Sequence, residues 1–145
     1  TALRRYDVLL RPGGRLAFSW FGDDDVRWEP VYAELAADVP AEERQDRRPG
    51  GGPFSSAAAL EEAVRRAGFV EVRTHEVRME VAVPDGRTWW EEQWTHGRRA
   101  QLERLDELGV LEATRTRVVA AVDALREPDG TLAWRPTLRH TVAVA

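Results

Sequence analysis

The residues of this sequence best equipped for chemistry are a run of tryptophans and a histidine in its second half: Trp89, Trp90, Gln93, Trp94 and His96. Trp90 and Trp94 stand at i and i+4, so on a helix they share one face, with Trp89, Gln93 and His96 on the neighbouring one. Aromatic walls of that kind suit a flat apolar ligand. His96, whose imidazole titrates near neutral pH, is the candidate general base for a hydroxyl held against those walls. The competing reading is packing: the same rings would fasten a helical segment to its neighbours, and a single histidine is commonly structural.

Trp20 and Phe21 close a short apolar run nearer the start. Open α/β sheets collect ligands outside the carboxyl ends of their strands, which makes this pair a second candidate for ligand contact. The alternative is a ring that only covers the strand end. His140 falls among Leu138, Val142 and Val144 on the apolar side of an alternating segment, which predicts a hydrogen-bonded core position, and His75 stands where the alternation of an earlier segment changes. No two histidines have metal-ligand spacing, so no metal is expected. Asp23-Asp24-Asp25 lacks partner ligands in the sequence and reads as a solvated loop. Pro12-Gly13-Gly14 is a turn without the spacing that cradles phosphate.

The composition narrows the function classes. The chain has 145 residues, 43% of them hydrophobic and 32% charged, which is ordinary for one globular domain. A net charge of −4 argues against a nucleic-acid or anionic-membrane partner, because phosphates must be neutralised by clustered positive charge. All 21 basic residues are arginine, a bias that fits codon usage better than dedicated anion recognition. There is no cysteine, which removes disulfides, thiolate metal sites and a thiol nucleophile. No apolar run approaches the length of a membrane span and no export signal opens the sequence, so the expected location is the cytoplasm.

The elements that would position these residues follow from the punctuation. Residues 2 to 10 have the spacing of an amphipathic helix, ended by Pro12-Gly13-Gly14. Arg15 to Phe21 is a strand, almost continuously apolar as in a sheet covered on both faces. A helix is expected over Val31 to Ala37, and a loop over the run from Pro40 to Pro53 with its Gly50-Gly51-Gly52. Ser55 or Ser56 caps the next helix, Leu60, Ala63, Val64 and Ala67 form its inner stripe, and Gly68 stands at C′. Phe69 to Val83 is strand-like, with a bulge expected near Thr74-His75 where the apolar positions change parity. Pro84-Asp85-Gly86 turns the chain into helical segments over 87 to 108 and 112 to 126. Pro128-Asp129-Gly130 is a turn, Thr131 to Arg135 a short strand, and Leu138 to Val144 the last one.

This order, with Leu9-Leu10-Arg11-Pro12-Gly13-Gly14-Arg15-Leu16 before the first strand, Leu60 through Val72 as helix and strand, and Asp129-Gly130-Thr131-Leu132 with Arg135-Pro136-Thr137 near the end, resembles the carboxy-terminal half of a class I S-adenosylmethionine-dependent methyltransferase. Trp89-Trp90-Glu91 and Trp94-Thr95-His96-Gly97 are similar to the actinobacterial small-molecule type. The resemblance implies an α/β fold: part of a Rossmann-like sheet made of the family's fifth, seventh and sixth strands, the last inserted antiparallel, with residues 86 to 126 as a helical lid. It implies a small aromatic or polyketide-like acceptor contacted by Trp20, Phe21, Trp90 and Trp94, with His96 as the base.

The Gly-rich loop and the acidic residue that hold the cofactor in that family have no counterpart in the sequence, so the cofactor-binding residues are unknown. S-adenosylmethionine is expected only with an amino-terminal half. The edge from Arg15 to Phe21 would then pair with that complementary half or with a second copy. The alternative is a methyltransferase-like remnant without cofactor binding, acting as a binding or assembly module or as a non-methylating cyclase.

Overall fold

The computed structural model describes residues 9–44 and 52–145. The expected helix over residues 2 to 10 and the glycine run at 50 to 52 lie outside the described residues, apart from their last positions. The fold is mixed α/β, and the chain divides into two compact units.

The first unit comprises Thr1–Asp24, Asp46–Met79 and Pro136–Ala145. Its sheet holds β1 (Arg15–Phe21), β2 (Val70–Arg78) and β5 (Thr137–Val144) in the order β1-β5-β2, with β5 antiparallel to both neighbours. β1 has the bounds that its apolar run predicts. The last strand lies between the other two, Arg15 opposite Val144 and Phe21 opposite Leu138.

Helix α2 (Ala57–Arg66) covers one face of this sheet. Ser56 caps it, its hydroxyl accepting from the Ala59 N–H at 3.1 Å. The helix ends as its punctuation predicts, with Gly68 just beyond it at φ 113°, a conformation that L side chains rarely adopt. Leu60, Val64 and Ala67 pack with Phe69, Trp20, Val72 and Ala143, and Leu16 and Phe18 join from β1. Two α2 side chains also serve the β2 backbone. Glu61 accepts from the Thr74 N–H at 2.9 Å, and Arg65 donates to the Val72 carbonyl at 3.2 Å.

Three expectations for this unit need correction. The irregularity in β2 falls between Val70 and Arg73, not at Thr74-His75, and Glu71 takes the strained positive φ of 49° there. β2 stops at Arg78 instead of running on to Val83. The inner face of β5 is Arg139, Thr141 and Ala143, which are buried, whereas Leu138, His140, Val142 and Val144 face the other way, so His140 is no core residue. Polar side chains can occupy inner positions because each is satisfied, as described below.

The second unit comprises Asp25–Gln45 and Glu80–Arg135. It contains α1 (Glu29–Ala36), β3 (Val81–Ala82), α3 (Gly86–Gln93), α4 (Arg99–Glu107), α5 (Leu111–Asp123) and β4 (Ala133–Trp134), with β3 and β4 paired antiparallel. Trp28, Val31, Leu35, Trp90, Leu102, Leu105, Val118 and Val122 form its core. The expected helical segment over 87 to 108 is broken after Gln93: Trp94 is the C-cap of α3, and Gly97 turns the chain at φ 85° before α4 begins. At the start of α3, Asp85 accepts from the Thr88 N–H at 2.6 Å. Gly86 is required there by close approach, since a Cβ on it would collide with the Val119 carbonyl oxygen of α5.

Candidate functional site

Because successive strand residues point to opposite sides, Trp20 and Phe21 cannot line one surface. Trp20 faces α2 and is buried; Phe21, on the opposite face, is 66% exposed. The Trp20 ring is occupied by its own unit. Its Nε1 donates to the Thr141 hydroxyl at 3.1 Å, Phe54 meets it edge-on at 5.6 Å between centroids, and the Arg139 guanidinium lies 5.0 Å from the ring centroid. Arg139 in turn donates to Glu76 at 2.5 Å and to Asp23 at 3.2 Å. The Thr141 hydroxyl has a second partner in Thr74 at 3.0 Å. In this cluster the one cation, Arg139, is paired with two carboxylates and the hydroxyls are hydrogen-bonded, which lets an arginine and a threonine sit on the inner face of β5.

In the second unit, Trp89 and Trp90 are buried, and Trp89 stacks at a tilt on Trp28 with centroids 5.6 Å apart. Trp94 is partly buried against the same core. His96 is exposed in the turn after α3, its backbone N–H donating to the Glu92 carbonyl at 3.1 Å. Gln93 closes onto its own helix, donating to the Trp89 carbonyl at 2.8 Å. The break after Gln93 therefore divides the expected aromatic stripe into two core rings, one flanking ring and a solvent-facing imidazole.

Of the aspartate triplet, Asp23 and Asp24 are exposed, as a solvated loop predicts, and Asp25 departs from that expectation. Asp25 is buried, accepts from the Arg27 guanidinium at 2.6 and 3.0 Å and from the Arg135 N–H at 2.9 Å, and so joins the two ends of the second unit's chain. Burial pushes its carboxyl up, but the hydrogen bonds from Arg27 and from the Arg135 backbone outweigh that, leaving it below the ordinary carboxylate value. Glu127 is held low by the Arg135 guanidinium at 2.6 Å, with Arg27 adding at 2.9 Å. Among the described residues, no group of three or more metal-ligating side chains is gathered, and no helix is long and apolar enough to cross a membrane.

What the sequence reading missed is the outer face of the first unit's sheet. The register aligns Phe21, Leu138 and Val77 in one row across the three strands, and Ser19, His140 and His75 in the next. Val77 and Val142 are exposed on this face, and the Ser19 hydroxyl lies 2.9 Å from His140 Nδ1. The signal was present in the alternation of β5, read with its two sides exchanged.

No protein-family model and no curated protein matches this chain.

Proposed function

We propose that this chain is the acceptor-binding portion of an S-adenosylmethionine-dependent methyltransferase acting on a small aromatic or polyketide-like molecule, completed by a further segment that supplies the cofactor site. One observation carries the reading: the final strand, β5, lies antiparallel between β1 and β2, with α2 leading into β2 and a helical excursion between β2 and β5. That is the arrangement the resemblance implies for the family's fifth, seventh and sixth strands, in a Rossmann-like sheet with a lid.

Within this reading, β1 is an edge whose one strand neighbour among the described residues is β5, and the completing segment, an amino-terminal half or a second copy, adds to that edge. Methyl transfer would proceed chiefly by proximity and orientation of the acceptor's nucleophile. His96 is the candidate base, since it is exposed and follows Trp94 by two residues in the chain. Phe21 is the better placed of the two strand-end aromatics to touch a ligand, and Trp94 the better placed of the lid rings, because Trp20 and Trp90 are enclosed.

The enclosure of Trp90 favours a second reading, in which the chain is a methyltransferase-like module that binds or assembles without methylating. Calorimetry separates the two. Under the first, the 145-residue chain alone gives no tight S-adenosylmethionine binding, and joining it to the segment that precedes it in its reading frame restores binding. Binding that stays absent in the joined protein refutes the enzyme reading.

A further inference from the structure

We propose that His75 and His140 form a two-imidazole site for a divalent transition ion, Cu²⁺ or Zn²⁺, on the outer face of the first unit's sheet. The site is independent of the methyltransferase reading. Sixty-five residues separate the two histidines in the sequence, which is why spacing alone gave no ligand pattern, but the β2–β5 register sets them directly opposite one another. Directly opposed residues on antiparallel strands share a face, with Cβ atoms about 4.5–5.5 Å apart. Two imidazoles rising from such a base are close enough to share one ion at the usual Zn–N length of about 2.0–2.1 Å.

A second observation comes from β1. The Ser19 hydroxyl, in the same row, lies 2.9 Å from His140 Nδ1. Ligating histidines characteristically donate their other ring N–H to a fixed acceptor, which sets the tautomer and ring orientation. In the tautomer whose Nδ1–H donates to the Ser19 hydroxyl, the nitrogen left to bind a metal is Nε2. His75 is exposed and His140 half-buried, so solvent reaches the pair and water would complete the coordination shell. Imidazole suits Cu²⁺, Ni²⁺ and Zn²⁺, and affinity rises to Cu²⁺ and falls again at Zn²⁺.

The surroundings are mostly apolar. Along their own strands His140 is flanked by Leu138 and Val142, and His75 by Val77 and Arg73, while Ala17 and Phe21 flank Ser19. Arg73 is the one charged neighbour in these adjacent rows, and its cation opposes a bound metal.

The test is calorimetric titration of the 145-residue chain with CuCl₂ and with ZnCl₂, alongside the variants His75→Gln, His140→Gln, Ser19→Ala and Arg73→Gln. Far-UV circular dichroism checks each fold. The expected result is one ion per chain, with Cu²⁺ tighter than Zn²⁺, lost in either histidine variant. Ser19→Ala should weaken binding about tenfold or more, and Arg73→Gln should tighten it a few-fold. In a Zn²⁺ titration followed by NMR, the ring resonances of His75 and His140 move together and those of His96 stay in place. No ion bound by the native chain, or binding unchanged in His75→Gln, overturns the site, as does a shift at His96 that matches the other two. Should His140→Gln fail to fold, His75→Gln and the NMR titration decide.

Discussion

Trp90 in the second unit and Phe21 in the first are both large aromatic side chains, yet one is 2% exposed and the other 66%. The difference lies in the geometry of the elements that carry them. Helices α1, α3, α4 and α5 each turn one stripe inward, so Trp90, Leu35, Leu105 and Val118 meet in one core whose sides are all supplied by the same unit. A three-stranded sheet has two faces and two edges, and α2 covers one face only. The second unit's core is closed by its own residues; in the first, among the described residues of that unit, α2 covers one sheet face and β1 and β2 each have β5 as their one strand neighbour. Selection for a folded core explains the first pattern. The second is what a piece of a larger sheet, or a binding surface, presents.

The largest effect that tests this contrast is a pair of truncations. Leu105→Ala, in the closed core, should cost about 2–5 kcal/mol by leaving a cavity, whereas Val77→Ala on the outer sheet face should stay within about 0.5–1 kcal/mol. Urea denaturation followed by tryptophan fluorescence reads both. Equal losses would mean that the outer face is covered.

Asp25→Asn should come next, at about 1–3 kcal/mol, because it removes the charge that Arg27 and the Arg135 N–H are arranged to meet. Its pH signature sharpens the assignment. The folded carboxyl sits below its ordinary value of 3.8, so its stabilisation is fully present above that pH and is lost as pH falls through it toward the folded value. Glu127 acts in the same direction. Wild-type stability should therefore fall on acidification below about pH 4, and the variant should show a shallower fall over the same window in thermal melts. An unchanged slope would assign the acid sensitivity to other carboxylates.

The smallest effect belongs to the cap of α2. Ser56→Ala removes the bond to the Ala59 N–H and should cost about 1 kcal/mol. The loss should appear as faster amide exchange in α2, which packs on the inner sheet face.

Much of this organisation was legible from particular residues. The Pro-Gly-Gly turn marked the start of β1, and Gly68 marked the end of α2, whose cap the serine pair narrowed to Ser55 or Ser56, the structure selecting Ser56. The faces of β5 were misread because alternation assigns polar residues outward. Arg139 and Thr141 break that rule inside a paired and hydrogen-bonded cluster with Glu76, Asp23, Thr74 and Trp20. The irregularity at Glu71 carries no glycine or asparagine to announce its positive φ. The break between α3 and α4 rests on Gly97, whose signal was overridden by the helical spacing of the tryptophans before it. The pairing of His75 with His140 is set by strand register, a long-range property that local patterns do not encode.

The contrast between the two units is tested most directly by amide hydrogen exchange along β1 and β5 in the 145-residue chain, at concentrations where light scattering gives a monomer. β5, laddered on both sides, should be slow throughout. β1 should alternate between slow amides that face β5 and fast ones that face outward, and under the proposed reading the fast set becomes slow when a segment or second copy pairs with that edge. A monomer in which every β1 amide is as slow as those of β5 would contradict the account, because the edge would then already be covered.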